Sequence, residues 1–236
     1  MKFLGKQLMN IPFLGPLSMC LFLNLTMLSA QPVAVKSDAS DPKTKAFLDK
    51  VKKQYEGYTT LETKFKLETK FAEQPKADVQ SGKYAQQGDR SRVDMDKDFI
   101  ISDGKIVWHK TGNIVRITNA GGNSTNAFLS PKDLLKLYEK KEYIFGITGE
   151  RAEGWSAKAT IVTLKPVNRR SEFTKVEIAI DQKTNYVVSF TGFGRDQSRS
   201  KVSMDQPIVN QKQDASKFTF DQSKYTGVKV EDLRVD

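Results

Sequence analysis

The chain has 236 residues, 38 Lys and Arg against 28 Asp and Glu, a formal net charge of +10 and a single cysteine, Cys20. One cysteine excludes an internal disulfide framework and a cysteine-ligated metal cluster. The basic balance fits nucleic acid, an anionic membrane or an acidic protein, but no dense Lys/Arg run with interleaved aromatics is present, which argues against nucleic acid. A merely basic soluble surface explains the charge equally well.

The first thirty residues read as a secretory signal. Lys2 and Lys6 give a positive start, Leu14 to Leu28 is mostly apolar, and Leu28-Ser29-Ala30 offers a small-residue cleavage site. The apolar run falls short of the ~20 residues that cross a membrane. Met19 before Cys20 is too large for a lipidation signal. The expected organisation is a signal peptide over 1–30, a linker over 31–40 and one domain over 41–236, exported to the periplasm. Without the signal, 36 basic residues face 28 acidic ones, and no cysteine remains.

Asp41-Pro42 opens a helix, with Asp as cap and Pro at the first position. Phe47, Leu48, Val51 and Tyr55 fall on one stripe of it, and Gly57 ends it. From Leu61 to Phe71 the chain alternates: Leu61, Thr63, Phe65, Leu67, Thr69 and Phe71 on one side, Glu62, Lys64, Lys66, Glu68 and Lys70 on the other. That is a long strand with one charged and one largely apolar face. Val79 to Ala85 and Arg90 to Met95 follow as strands around Gln87-Gly88-Asp89. Phe99 to Ile101 and Ile106 to Trp108 flank Asp103-Gly104, a strong hairpin signal. Ile114 to Thr118 is a further strand and Asn119 to Asn126 a loop. Ser130-Pro131 opens a second, short helix with Asp133 in its first turn and Leu134, Leu135, Leu137 and Tyr138 on a wide apolar side. Strands are then expected at Tyr143 to Thr148, Ala159 to Leu164, Phe173 to Ile180, Tyr186 to Phe193, Lys217 to Phe220 and Val228 to Val230. The stretch containing Asp205-Gln206-Pro207 reads as irregular. The expected fold is mainly β (α+β): an incomplete antiparallel barrel of about ten or eleven strands, with short helices forming a lid over its concave apolar face.

No catalytic set emerges. His109 is the only histidine, a poor metal ligand without partners. No nucleophile elbow, phosphate loop or dinucleotide fingerprint occurs. The acidic neighbours Asp94/Asp96 and Glu231/Asp232 are unremarkable among 28 acids. The reading is of a non-enzyme without cofactor or metal. The large aromatics Phe47, Phe65, Phe71, Tyr84, Trp108, Phe145, Trp155 and Phe190 either make an ordinary core or line an incompletely filled cavity. Periodicity does not separate these two.

Three segments resemble the outer-membrane lipoprotein carriers of the LolA type. They are Phe47-Leu48-Asp49-Lys50-Val51 with the Phe65 strand, Ser102-Asp103-Gly104-Lys105 with Trp108, and Asp214-Ala215-Ser216-Lys217-Phe218-Thr219-Phe220 leading to Gly227-Val228-Lys229-Val230-Glu231-Asp232. Their order spans Asp41 to Arg234. The resemblance implies a monomeric periplasmic carrier that accepts acylated lipoproteins from an inner-membrane ABC-type release complex and delivers them to an outer-membrane receptor or membrane. It implies a lipid-binding cavity and lid built from Phe47, Leu48, Val51, Phe65, Leu67, Tyr84, Trp108, Leu134, Leu137, Phe145, Ile178 and Phe190. One departure stands out. Family members carry an Arg-Pro after the strand corresponding to Val79–Ala85, and that arginine ties lid to barrel. Here Gln87-Gly88-Asp89 occupies the place, leaving Arg92, or else Arg90, as the candidate latch. The alternatives are a carrier of another lipid or glycolipid, or a lipid-sensing envelope-stress regulator with a similar half-barrel.

Overall fold

The computed structural model describes residues 40–120, 131–139 and 141–234. The expected signal peptide, nearly all of the linker, the loop from residue 121 and Ser130 lie outside them. The described residues fall within one compact unit.

Helix α1 spans Pro42–Glu56. Asp41 caps it, its carboxylate accepting from the Lys43 and Thr44 amides, and Pro42 fills the first turn. Strand β1 (Thr60–Lys70) follows, then β2 (Asp78–Gln87), β3 (Arg90–Met95), β4 (Asp98–Ser102), β5 (Ile106–Thr111) and β6 (Ile114–Asn119) as a meander. The hairpin turns use residues that tolerate positive φ: Gly88 at 57° and Gly104 at 95°. Helix α2 (Pro131–Leu135) and a 3-10 turn (Leu137–Glu139) come next. A second meander comprises β7 (Tyr143–Glu153), β8 (Ser156–Pro166), β9 (Phe173–Asp181), β10 (Val187–Gly194) and β11 (Arg199–Met204), followed by the two-residue β12 (Ile208–Val209). After 3-10 turns at Ala215–Phe218 and Gln222–Lys224 the chain ends in β13 (Lys229–Asp232).

All strands join one sheet in the order β13-β6-β5-β4-β3-β2-β1-β11-β10-β9-β8-β7, with β12 also on β1. Pairing is antiparallel except for β13, which runs parallel to β6. Strands β13 and β7 are not paired with each other, so the sheet does not close. Thirteen strands replace the ten or eleven expected, because β11 and β12 come from sequence read as polar and irregular. Lys217 to Phe220, read as a strand, begins instead in a 3-10 turn capped by Asp214.

Register fixes which residues share a face. Across the sheet, Thr63, Tyr84, Val93 and Ile100 stand on one side, continuous with Phe65, Met204, Val202, Phe190 and Ile178. This is the face that α1 and α2 cover. The odd-numbered residues of β1 point to it, as the alternation predicts, but burial fades along the strand: Phe65 is buried, Leu67 half-buried, and Phe71 beyond the strand 45% exposed. Phe65 lies over Gly82 on the neighbouring strand, where a Cβ would collide with its ring.

The opposite face carries two smaller apolar clusters. At one end Phe99, Ile101 and Val115 pack with Trp108 beneath a C-terminal strap bearing Phe220, Tyr225, Val228 and Val230. Phe99 and Tyr225 lie 4.9 Å apart, and Phe220 stacks on Tyr225 at 5.5 Å. At the other end Ala159, Ile161, Ala179 and Val188 pack with Trp155. Trp155 sits at the β7–β8 tip and donates from Nε1 to the Met204 carbonyl at 2.9 Å. Beside it Glu153 accepts from Lys201 (2.7 Å) and Arg151 (2.6 Å) and from the Ser189 hydroxyl.

Candidate functional site

Ten of the twelve residues expected to form the cavity and lid lie in or against the main core, Leu67 and Trp108 being the exceptions. Leu48 and Val51 are fully buried and Tyr55 nearly so, in one cluster with Phe65, Tyr84, Val93, Phe145, Ile178 and Phe190. Leu135 and Tyr138 join from the second cover, and Tyr138 meets Phe145 edge-on at 5.7 Å. Phe47, Leu134 and Leu137 pack against the cluster while partly exposed. The amphipathic stripe of α1 thus replaces the outer layer that a closed barrel would supply. Among the described residues, Leu48, Val51 and Tyr55 pack directly on that face. The gap left at Tyr55, Leu61, Val187, Met204 and Pro207 is too small for a water molecule. At that point an apolar guest has to displace Tyr55 of α1 rather than enter beside it.

The cover is held by a handful of polar contacts at its two ends. At the start, the Asp41 amide donates to the Phe145 carbonyl (3.1 Å) and the Thr44 hydroxyl accepts from the Ile147 amide (3.0 Å). That hydroxyl in turn donates to the Asp41 carboxylate at 2.6 Å, which holds the acid below its usual range. At the far end the buried Tyr55 hydroxyl accepts from the Val187 amide (2.9 Å), and Gln54 donates to the Thr184 carbonyl (2.9 Å). Burial pushes the Tyr55 pKa up, so it stays a neutral phenol. Nearby Tyr58, desolvated against the same edge, is pushed up to about 12. The two covers also grip each other. The Tyr138 hydroxyl donates to Asp49 at 2.7 Å, and Lys52 pairs with Glu139.

Two expectations are corrected. Arg92 does not latch the lid. It flanks Val93, so pleating turns it to the opposite face. There it bonds Asp94 (2.9 Å) and donates to the Lys217 carbonyl of the C-terminal strap (3.2 Å). Arg90, two residues away, points the same way. Trp108 is also on that face: it pairs with Ile101, not with the core residue Ile100, and belongs to the strap-covered cluster. Leu67 keeps the correct side but stays half-buried, near the end α1 does not cover. The contacts that do tie the lid, Thr44, Gln54 and Tyr138, were missed. Polar residues inside an apolar stripe were their only signal.

The larger hollows lie on the opposite face. One of about 850 Å³ is lined by Lys64, Lys66, Lys83, Arg92, Asp94 and Trp155 among others, and one of about 400 Å³ adjoins it at Lys217 and Ile208. Both are open, with charged side chains set around apolar surface from residues such as Trp155 and Ile208. Among the described residues there is no cluster of three or more metal-ligating side chains, and no helix is long and apolar enough to cross a membrane.

The architecture is an open, mostly antiparallel half-barrel with one apolar face under helical cover. The family model for "Outer membrane lipoprotein carrier protein LolA" matches residues 56–221, and the chain belongs to that family. LolA-family proteins are periplasmic carriers rather than enzymes. No curated protein sequence matches the chain. Among solved structures, an uncharacterized conserved protein from Thermus thermophilus is similar at 12% identity and a TM-score of 0.54, over 80% of this chain and 99% of that one. A LolA superfamily protein from Nitrosomonas europaea is similar at 9% identity and TM-score 0.40, over 75% and 97%. The Pseudomonas aeruginosa MucA/MucB complex gives 11% identity and TM-score 0.40, over 76% and 61%. At these identities the first likeness supports the fold alone.

Proposed function

We propose that this protein shields the acyl chains of lipoproteins in the periplasm and moves them from the inner to the outer membrane. The observation that carries the reading is the helix face. A continuous apolar surface is filled by Leu48, Val51 and Tyr55 of a helix that a few end contacts hold in place. Acyl chains would occupy the space these side chains vacate, at ~0.8 kcal/mol per buried CH2, which is enough to offset undocking the helix. The cover re-docking on the empty face would then favour release. On this reading Phe65, Leu67, Tyr84, Phe145, Ile178 and Phe190 form the floor, Leu134 and Leu137 the second cover, and an inner-membrane release complex loads the site.

The test is release of lipoproteins from spheroplasts of the host into the soluble fraction by the purified chain. Wild type should release them. Leu48→Glu, which puts a charge on the lid's apolar side, should not, while keeping its far-ultraviolet spectrum. Absence of release by folded wild type would sink the reading. Extraction of a free lipid, or a stable complex with a membrane regulator, would then point to one of the alternatives.

A further inference from the structure

One end of the sheet has a different surface from the rest. Lys70 pairs with Arg199, Phe193 with Lys175, and Leu164 with Val176. The β1–β2, β8–β9 and β10–β11 connections therefore leave the sheet at the same end. Four of the seven large apolar side chains that are exposed among the described residues sit there: Phe71 (45%), Val79 (53%), Val167 (54%) and Phe173 (38%). Residues 70–79, 165–175 and 193–199 also hold eight Lys or Arg against four Asp or Glu. Lys70, Lys76, Arg169 and Arg170 are exposed.

We propose that this end docks on an anionic lipid surface. Exposed aromatic and aliphatic side chains interspersed with basic ones match the headgroup region, where rings enter the acyl boundary and cations meet phosphate. A concentration of exposed apolar tips ringed by cations marks an interaction surface. The shape favours lipid over an acidic protein. The three connections are projecting tips, and none of their residues lines either of the two large hollows, where a partner's side chain could seat.

The tips are held in place rather than loose. The Arg195 amide donates to the Glu172 carbonyl (2.9 Å) and its Nε to the Ser171 carbonyl (2.7 Å), tying two tips together. Phe173 lies over Gly192, where a Cβ would come 2.7 Å from its ring. Lys175 Nζ sits 4.1 Å from the centre of the Phe193 ring. The end also adjoins the least covered part of the helix face, at Leu67 and Val202, both half-buried. The inference goes beyond the carrier reading and does not need it, because the probe is protein without cargo.

The experiment is co-sedimentation of the purified full chain with phosphatidylcholine vesicles, with and without about 30% phosphatidylglycerol, at about 0.1 and about 0.5 M salt. Binding should require the anionic lipid and weaken at least about tenfold at the higher salt. Arg169→Glu with Arg170→Glu should weaken it about thirtyfold or more, since each basic residue near the surface is worth roughly a factor of five. Phe71→Asp should weaken it as well. Lys105→Glu with Lys183→Glu, two exposed charges at the far end, should weaken it far less. All variants share one N-terminal segment, so a selective loss belongs to the tips. Melting temperatures check that each is folded. Absence of binding to anionic vesicles, equal binding to neutral ones, or equal loss at the two ends would overturn the proposal. None of these outcomes bears on the spheroplast assay, so the two readings fail separately.

Discussion

Both faces of the sheet carry an apolar cluster beneath a chain segment, but the two covers are attached differently. The C-terminal strap is continuous with the sheet. It ends as β13, in register with β6 from Lys229 opposite Ile114 to Asp232 opposite Ile117. It adds an aromatic stack and the Arg92 bond to the Lys217 carbonyl. Helix α1 satisfies its backbone internally and touches the sheet through side chains and a few end contacts. Removing the strap breaks a ladder of backbone bonds, whereas lifting α1 breaks a single backbone bond to the sheet, from its Asp41 cap to the Phe145 carbonyl, and none within the helix. The strap is part of the scaffold, and α1 is the element that can leave.

The largest expected effect is on the strap side. Phe99→Ala empties the space beneath Phe220 and Tyr225 and should lower global stability by about 3–5 kcal/mol, read as a shift of the urea midpoint. On the lid side the loss should reach a ceiling. Leu48→Ala should cost about 2 kcal/mol, and Leu48→Glu little more, because once α1 is undocked further damage to its apolar side has no effect on the sheet. Continued growth of the loss from Ala to Glu would break the comparison.

Tyr55→Phe is a finer probe. It leaves the Val187 amide buried without an acceptor, at about 1–3 kcal/mol. Amide exchange should accelerate along α1 and stay unchanged in β13. The smallest effect at neutral pH concerns Glu153, which fastens the β7–β8 tip to β10 and β11. Burial alone would raise its pKa, but Lys201, Ser189 and Arg151 hold it down to about 2. A depressed carboxylate contributes stability above its unfolded pKa of about 4.3 and loses it as pH falls towards the folded value. Wild type should therefore lose stability between about pH 4.5 and 2 more steeply than Glu153→Gln, measured as urea midpoints across that range.

The sequence carried the lid and most of the sheet because their signals are local. Asp41-Pro42 and Gly57 mark the ends of α1, the stripe Leu48, Val51, Tyr55 marks its buried side, and β1 shows its faces by alternation. The Arg92 correction was also readable: Val93 stands between two charged residues, so Arg92 and Asp94 had to share the other face. Trp108 was not readable in this way. Ile100 and Ile101 are both apolar because both faces of β4 are covered, and periodicity has nothing to alternate between. Strand β11, Arg199 to Met204, lacks a strong pattern because its outward residues meet Glu153 and solvent rather than a core. The strap's turn at Ala215–Phe218 depends on a long-range partner, β3, that no local window contains.

The most direct test of the account is native-state amide exchange as a function of urea, comparing α1 from Thr44 to Tyr55 with β13 and its partner β6 in the same sample. The account predicts that the α1 amides exchange through a local opening, at a free energy well below global unfolding and nearly independent of low urea, while β13 and β6 exchange only with the whole sheet. Exchange of α1 at the global free energy and with the global urea dependence would mean that the helix is as fixed as the strap, and the separable lid would be contradicted.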